Sequence, residues 1–284
     1  SLLYLRIYLL GMPVILLYNF EAAIFRSVGE TKIPLLALAV SGVVNVALNL
    51  FFVAVLGMTV NGVAIATVIS NALSSAILYF RLRTTAREVH VEPHLLRIDL
   101  GILKRILRIG LPAGIQSGVF SLANIIIQSA INSLGTVVMA ASSAAFNIEI
   151  LTYDIVNAFG QACTTFVGQN FGAGELKRCK KTLLLCLAEG AVILLAAIAL
   201  IISFGKPLLS IFNSDPEVID IGYIRVMLVV SAHFFSMLYE VMSGYLRGFG
   251  ISLGPAILTM IGVCMVRLLW IQFVFPLSRT FRTR

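Results

Sequence analysis

Asn147, Asp154 and Gln161 are the side chains with which this sequence could do chemistry inside an apolar stretch. They stand seven residues apart, so on a helix of about 3.6 residues per turn they share one face, with Asn157 flanking it. The stretch that holds them, residues 136–168, contains no Lys, Arg or Pro and is long enough to cross a bilayer as one helix. An Asp at the centre of such a span costs roughly 2.5–3.5 kcal/mol, so it needs a partner, a wet cavity or a proton. Asp154 is therefore the first candidate for coupling to a cation. Glu149 and Glu240 are further candidates, and Arg267, alone inside an apolar segment, is expected to pair with Glu240 or Asp154. Glu149 lies about 140° around the helix from Asp154, so the two are not expected to share a proton. Glu240, seven residues before Arg247, has an alternative role as a structural anchor. Glu21 and Glu189 lie nearer the ends of their segments, where structural roles are expected.

A second stripe is neutral. Ser117, Ser121, Asn124, Gln128 and Asn132 recur at spacings of three and four, the spacing of one helical face. With Gln116 they could line a substrate path; interhelical hydrogen bonding is the competing role for such residues. Asn45, between Ser41 and Asn49, repeats the pattern on a smaller scale, and the Tyr239 ring could receive a cationic substrate.

These residues have to be positioned by membrane helices. The chain has 284 residues, is 59% hydrophobic and only 12% charged, where soluble domains carry about 25%. Eight apolar segments can span a bilayer, near 2–25, 33–57, 60–80, 108–131, 136–168, 182–204, 219–245 and 254–276. Lys and Arg concentrate in alternate breaks between them, while the complete breaks on the other side hold only Lys206. That asymmetry puts the basic breaks in the cytoplasm, although Arg6, Arg225, Arg279, Arg282 and Arg284 run against it. Topology thus accounts for the net charge of +8, and no nucleic-acid partner is expected. The four cysteines show no CxxC spacing, and Pro93 separates His90 from His94, so no metal site is expected. Gly168, Gly172 and Gly174 follow a span and lack the GK[ST] of a phosphate loop.

The chain also repeats itself. Leu17, Tyr18, Arg26, Gly29 and Pro34 meet Leu238, Tyr239, Arg247, Gly250 and Pro255 at one constant offset, and Tyr4 and Arg6 meet Tyr223 and Arg225 with a two-residue shift. Each copy is a span, an Arg-x-x-Gly turn and a span opened by Pro. Six spans separate the copies, so both have the same orientation, which is a parallel repeat. On this repeat, residues 1–80 form the last three helices of an N-lobe, 81–107 a cytoplasmic linker, and 108–284 the first five helices of a C-lobe. A complete version is expected to have twelve spans, three more before Ser1 and one after Arg284.

Gly110-Leu111-Pro112, the Gly168-Gln169-Asn170-Phe171-Gly172-Ala173-Gly174 close, Gly62-Val63-Ala64-Ile65-Ala66-Thr67 and the paired Arg-x-x-Gly turns resemble those of the multidrug and toxic compound extrusion (MATE) transporters. The resemblance covers about spans four to eleven of the family's twelve. It implies an all-α membrane protein with two parallel-repeat six-helix lobes around a central cavity, here incomplete with eight transmembrane helices. It also implies alternating access, export of small organic and often cationic compounds in exchange for H⁺ or Na⁺, no other cofactor, a monomer when full length, and a bacterial cytoplasmic membrane. Acids that some members carry are replaced here by Phe120 and Ser236, so their cation site does not transfer. A lipid-linked sugar flippase of the same superfamily and an intramembrane lipid enzyme are the alternatives; the enzyme reading lacks a catalytic constellation.

Overall fold

The computed structural model describes residues 2–85 and 89–275, and every regular element among them is a helix. Among the described residues eight helices are long and apolar enough to cross a membrane: α1 (Leu2–Ser27), α2 (Lys32–Val55), α3 (Val60–Thr84), α4 (Leu100–Asn132), α5 (Thr136–Gly172), α6 (Leu176–Ser210), α7 (Pro216–Gly248) and α8 (Leu253–Val274). The last turns of α2 and much of α8 are wound as π-helix. The expected positions of Arg279, Arg282 and Arg284 lie outside the described residues. The chain divides into two compact units, Ser1–Ile98 and Asp99–Arg284.

Both long loops expected from hydropathy are shorter than the sequence suggested. The 81–107 linker gives up its second part to α4, which starts at Leu100 because Asp99 caps it, its carboxylate accepting from the Ile102 amide at 2.9 Å. The helix begins among charged residues, where an apolar window cannot see it. The break expected between the segments near 182–204 and 219–245 shrinks to 211–215. Pro207 falls in the last turns of α6 without ending the helix, while Lys206 reaches Asp220 of α7 at 2.7 Å. Asp215 then caps α7, whose first residue is Pro216, a position where a missing N–H costs nothing.

In the first unit α3 packs against both α1 and α2. Ala22, Phe25, Ala37, Leu78 and Leu82 form its apolar core. A polar seam runs beside them: Ser74 bonds Ser41 at 2.5 Å, Asn45 donates to Ser70 at 3.1 Å and Asn49 donates to Asn45 at 2.9 Å.

In the second unit α5 lies along α7, and glycine sets their separation. A Cβ on Gly244 would strike the Gly160 carbonyl oxygen, one on Gly160 would lie 2.8 Å from Glu240 Cγ, and one on Gly248 would lie 2.7 Å from Val167. Gly244 and Gly248, four apart on α7, are the small residues that let membrane helices approach closely. Thr164 Oγ1 sits between the helices, 2.9 Å from the Gly160 carbonyl and 3.1 Å from the Gly244 carbonyl, with one proton to give to either.

The two Arg-x-x-Gly turns fold alike. Gly29 has φ +78° and Gly250 has φ +80°, the left-handed region that suits glycine. In each, the following amide bonds back five residues, Glu30 to the Phe25 carbonyl and Ile251 to the Leu246 carbonyl, both at 3.0 Å. This is the Schellman closure of a helix end. The repeat read from the residues is thus also a repeat of local backbone geometry.

Candidate functional site

The helices of the second unit leave both polar stripes uncovered. Asn147, Asp154 and Gln161 are exposed on α5, with Asn157 half-buried beside them. Ser117, Ser121, Asn124, Gln128 and Asn132 are all exposed on α4. Among the described residues no ion pair holds Asp154. The stripe keeps part of its bonding to itself: Asn147 donates to the Ser143 carbonyl at 2.9 Å, Ser121 to the Ser117 carbonyl at 2.9 Å and Gln128 to Asn132 at 2.9 Å.

Gln116 is on another face of α4 and is buried. Its amide nitrogen donates to the Tyr239 hydroxyl at 2.8 Å and to Thr259 Oγ1 at 3.0 Å, and the Tyr239 and Thr259 hydroxyls bond each other. Three helices, α4, α7 and α8, therefore meet on one polar cluster. The Gln116 Oε1 atom is enclosed without a partner. Thr259, the third member, carries no distinguishing sequence signal.

Glu149 faces away from Asp154 and is buried, as the helical geometry required. It is held by Arg225 of α7 in a two-pronged contact, Nε to Oε1 at 2.8 Å and Nη2 to Oε2 at 3.0 Å. Such paired bonds use the planar guanidinium fully and leave little of the carboxylate for another cation. Arg225, which the charge pattern set aside as an exception, is thus the counter-ion of a membrane carboxylate.

Below this pair lies a residue that the sequence reading overlooked. His233 of α7 places Nδ1 2.7 Å from the Thr152 hydroxyl, and that hydroxyl lies 2.9 Å from the Glu149 carbonyl. One hydroxyl proton serves one acceptor; with it given to the Glu149 carbonyl, Thr152 accepts from the His233 Nδ1–H. The signal was available, since His233 is an ionisable residue alone in an apolar run, and such residues inside a span call for a function.

Among the described residues Arg267 forms no ion pair with Glu240 or Asp154. Glu240 pairs instead with Arg247, Oε1 to Nη1 at 3.0 Å, because residues seven apart on a helix lie on one face two turns apart. The Arg267 guanidinium lies over the Phe120 ring, 5.6 Å from its centroid, a cation–π contact. Asn45 sits in the first unit, bonded to Ser70 as described. Among the described residues no group of three or more His, Cys, Asp or Glu could hold a metal ion, and the four cysteines are free and buried.

A family model described as MatE matches residues 112–270, more than half of the chain. The chain belongs to the MatE family. The matched stretch runs from α4 into α8 and carries Gln116, both exposed stripes, Glu149, Glu240 and Arg267. A second model, described as Lipid II flippase MurJ, matches residues 3–134. The probable multidrug resistance protein NorM of Thermotoga maritima is 28% identical over 93% of this chain and 58% of its own length. The probable multidrug resistance protein YoeA of Bacillus subtilis is likewise 28% identical, over 92% of this chain and 58% of its own length. A crystal structure of MATE in complex with MaL6 aligns over 90% of this chain and 58% of that one, with 23% identity and a TM-score of 0.82. That likeness establishes the fold. The chain spans a little over half the length of these relatives, and with its eight membrane-length helices it is a multi-pass membrane protein.

Proposed function

We propose that the protein to which these helices belong is a secondary active transporter, exporting small organic and often cationic compounds across the cell membrane in exchange for H⁺ or Na⁺. The observation that carries this reading is an uncovered polar face with one unpaired carboxylate, Asp154, in a membrane-length helix of a MatE-family chain. Membrane helices do not present such a face to lipid, so it fits a wet path through the protein. The relatives named as multidrug resistance proteins support the substrate class.

In this reading the residues divide the work. Ser117, Ser121, Asn124 and Gln128 on α4, with Asn147, Asn157 and Gln161 on α5, offer neutral donors and acceptors to a passing substrate. Asp154 binds the coupling ion, and the ion drives export by favouring one arrangement of the helices over the other. Gln116 and Tyr239 brace α4 against α7 and α8, and Glu149 with Arg225 braces α5 against α7. The transporter works as a monomer and without another cofactor.

The MurJ match over residues 3–134 favours a lipid flippase as the second reading. It covers less than half of the chain and none of α5 to α8, so the exporter is preferred. Dye efflux from proteoliposomes carrying the full-length protein tests the proposal. Efflux that starts on imposing an inward H⁺ or Na⁺ gradient is expected; translocation of a labelled lipid-linked sugar, with no gradient-driven dye efflux, would favour the flippase.

A further inference from the structure

Glu21 of α1 is the most enclosed acid among the described residues of the first unit, 4% exposed. It faces α3, where the equally buried Ser75 lies 2.8 Å from Oε2. Its other oxygen, Oε1, is buried and has no hydrogen-bond partner. Ala22 and Phe25, one and four residues further along α1, are buried in this unit's apolar core with Ala37, Leu78 and Leu82.

The packed helices offer little charge to compensate it. Tyr18 and Arg26 lie on α1 itself, Lys32 is the only ionisable residue of α2 and opens it, and Tyr79, Arg81 and Arg83 stand near the end of α3. Among the described residues none of these forms an ion pair with Glu21. Oε1 is buried where α1 packs on α3. A hard metal cation would need about six oxygen ligands, and the surroundings supply one hydroxyl. An ionised oxygen left unpaired among apolar side chains is far costlier than a neutral one.

We propose that Glu21 is a proton-binding site, holding its carboxyl group as the neutral acid. With the proton on Oε2, the acid donates to the Ser75 hydroxyl, and Oε1 becomes a carbonyl oxygen that tolerates its apolar surroundings. Any rearrangement of α1 against α3 that admits water to Oε1 releases the proton, so occupancy of the site reports the state of this unit.

Infrared spectroscopy of the protein in lipid nanodiscs at neutral pH tests the proposal without any transport assay, so its failure and that of the exporter reading are separable. The wild type should show a protonated-carboxyl C=O band that Glu21→Gln removes. Glutamine mimics the neutral acid, so this variant should unfold at the wild-type temperature. Ser75→Ala should keep the band but move it to higher frequency, because the carboxyl loses its hydrogen-bond partner. A Glu21→Gln spectrum matching wild type in the protonated-carboxyl region, or a band indifferent to Ser75→Ala, would overturn the assignment.

Discussion

In the second unit, Glu149 and Glu240 each lie against an arginine, Arg225 and Arg247; in the first, Glu21 meets only the Ser75 hydroxyl. Between the matched pairs Tyr18/Tyr239 and Arg26/Arg247 the repeat sets Met242 opposite Glu21, so Glu240 stands two residues out of register with it. Helical geometry explains the contrast. Arg247 follows Glu240 by seven residues and returns to its face, whereas Arg26 follows Glu21 by five and points about 140° away. A repeat can therefore preserve its turns, with Gly29 and Gly250 at nearly the same φ, and still reverse the electrostatics of an acid. Glu149 with Arg225 ties α5 to α7, and Glu240 is neutralised by an arginine of its own helix; an acid without a counter-ion is free to exchange a proton.

The largest effect expected from this contrast is at the two-pronged pair. Arg225→Leu leaves Glu149 buried with no counter-ion and should cost about 3–5 kcal/mol, read as a fall in denaturant resistance in nanodiscs. Adding Glu149→Gln to it should recover most of the loss. If the double variant is as unstable as the single one, the pair is not acting as a unit.

Next in size is the α5–α7 approach. Gly244→Ala drives a methyl group into the Gly160 carbonyl, and overpacking of this kind costs about 1–3 kcal/mol. Gly118→Ala, where nothing lies within 4 Å of the added carbon, should leave stability unchanged or raise it by about 0.5–1 kcal/mol. Equal losses at both positions would remove the special status of the α5–α7 contact.

The smallest effect sharpens the comparison most. Glu240→Gln leaves Arg247 without its carboxylate at a partly exposed site, with side chains 19% and 23% exposed, and should cost about 1 kcal/mol or less. Glu21→Gln should cost nothing measurable in the same unfolding assay. Greater destabilisation at Glu21 than at Glu240 would invert the assignment of charge between the two units.

The parts of this molecule that were legible in the sequence are those set by local physics. Long apolar runs fixed eight spans, and glycine with its unique access to positive φ fixed the turns. Asp154 separated from Glu149 because five residues on a helix cannot share a face. Partners across helices were not legible, since they depend on where two helices cross. Arg225 looked like a topological exception until the Gly160–Gly244 contact brought α7 against α5 and set it beside Glu149. Thr259 could not be picked from the many hydroxyls of an apolar segment, whereas His233 could have been. Arg267 was expected to seek an acid and instead lies on Phe120, because Glu240 already has a nearer arginine on its own helix.

Asp154 is set apart from the other membrane acids discussed by its place in a polar stripe, where it is exposed and has no ion pair among the described residues. Its role as the coupling group is tested most directly by Asp154→Asn in the full-length protein, reconstituted with a fluorescent dye and an imposed ion gradient. Asparagine keeps the size and hydrogen bonding of aspartate but cannot ionise, so dye binding should persist while the response of efflux to the gradient disappears. Efflux by the variant at the wild-type rate under the same gradient would contradict the account and leave Asp154 a structural residue.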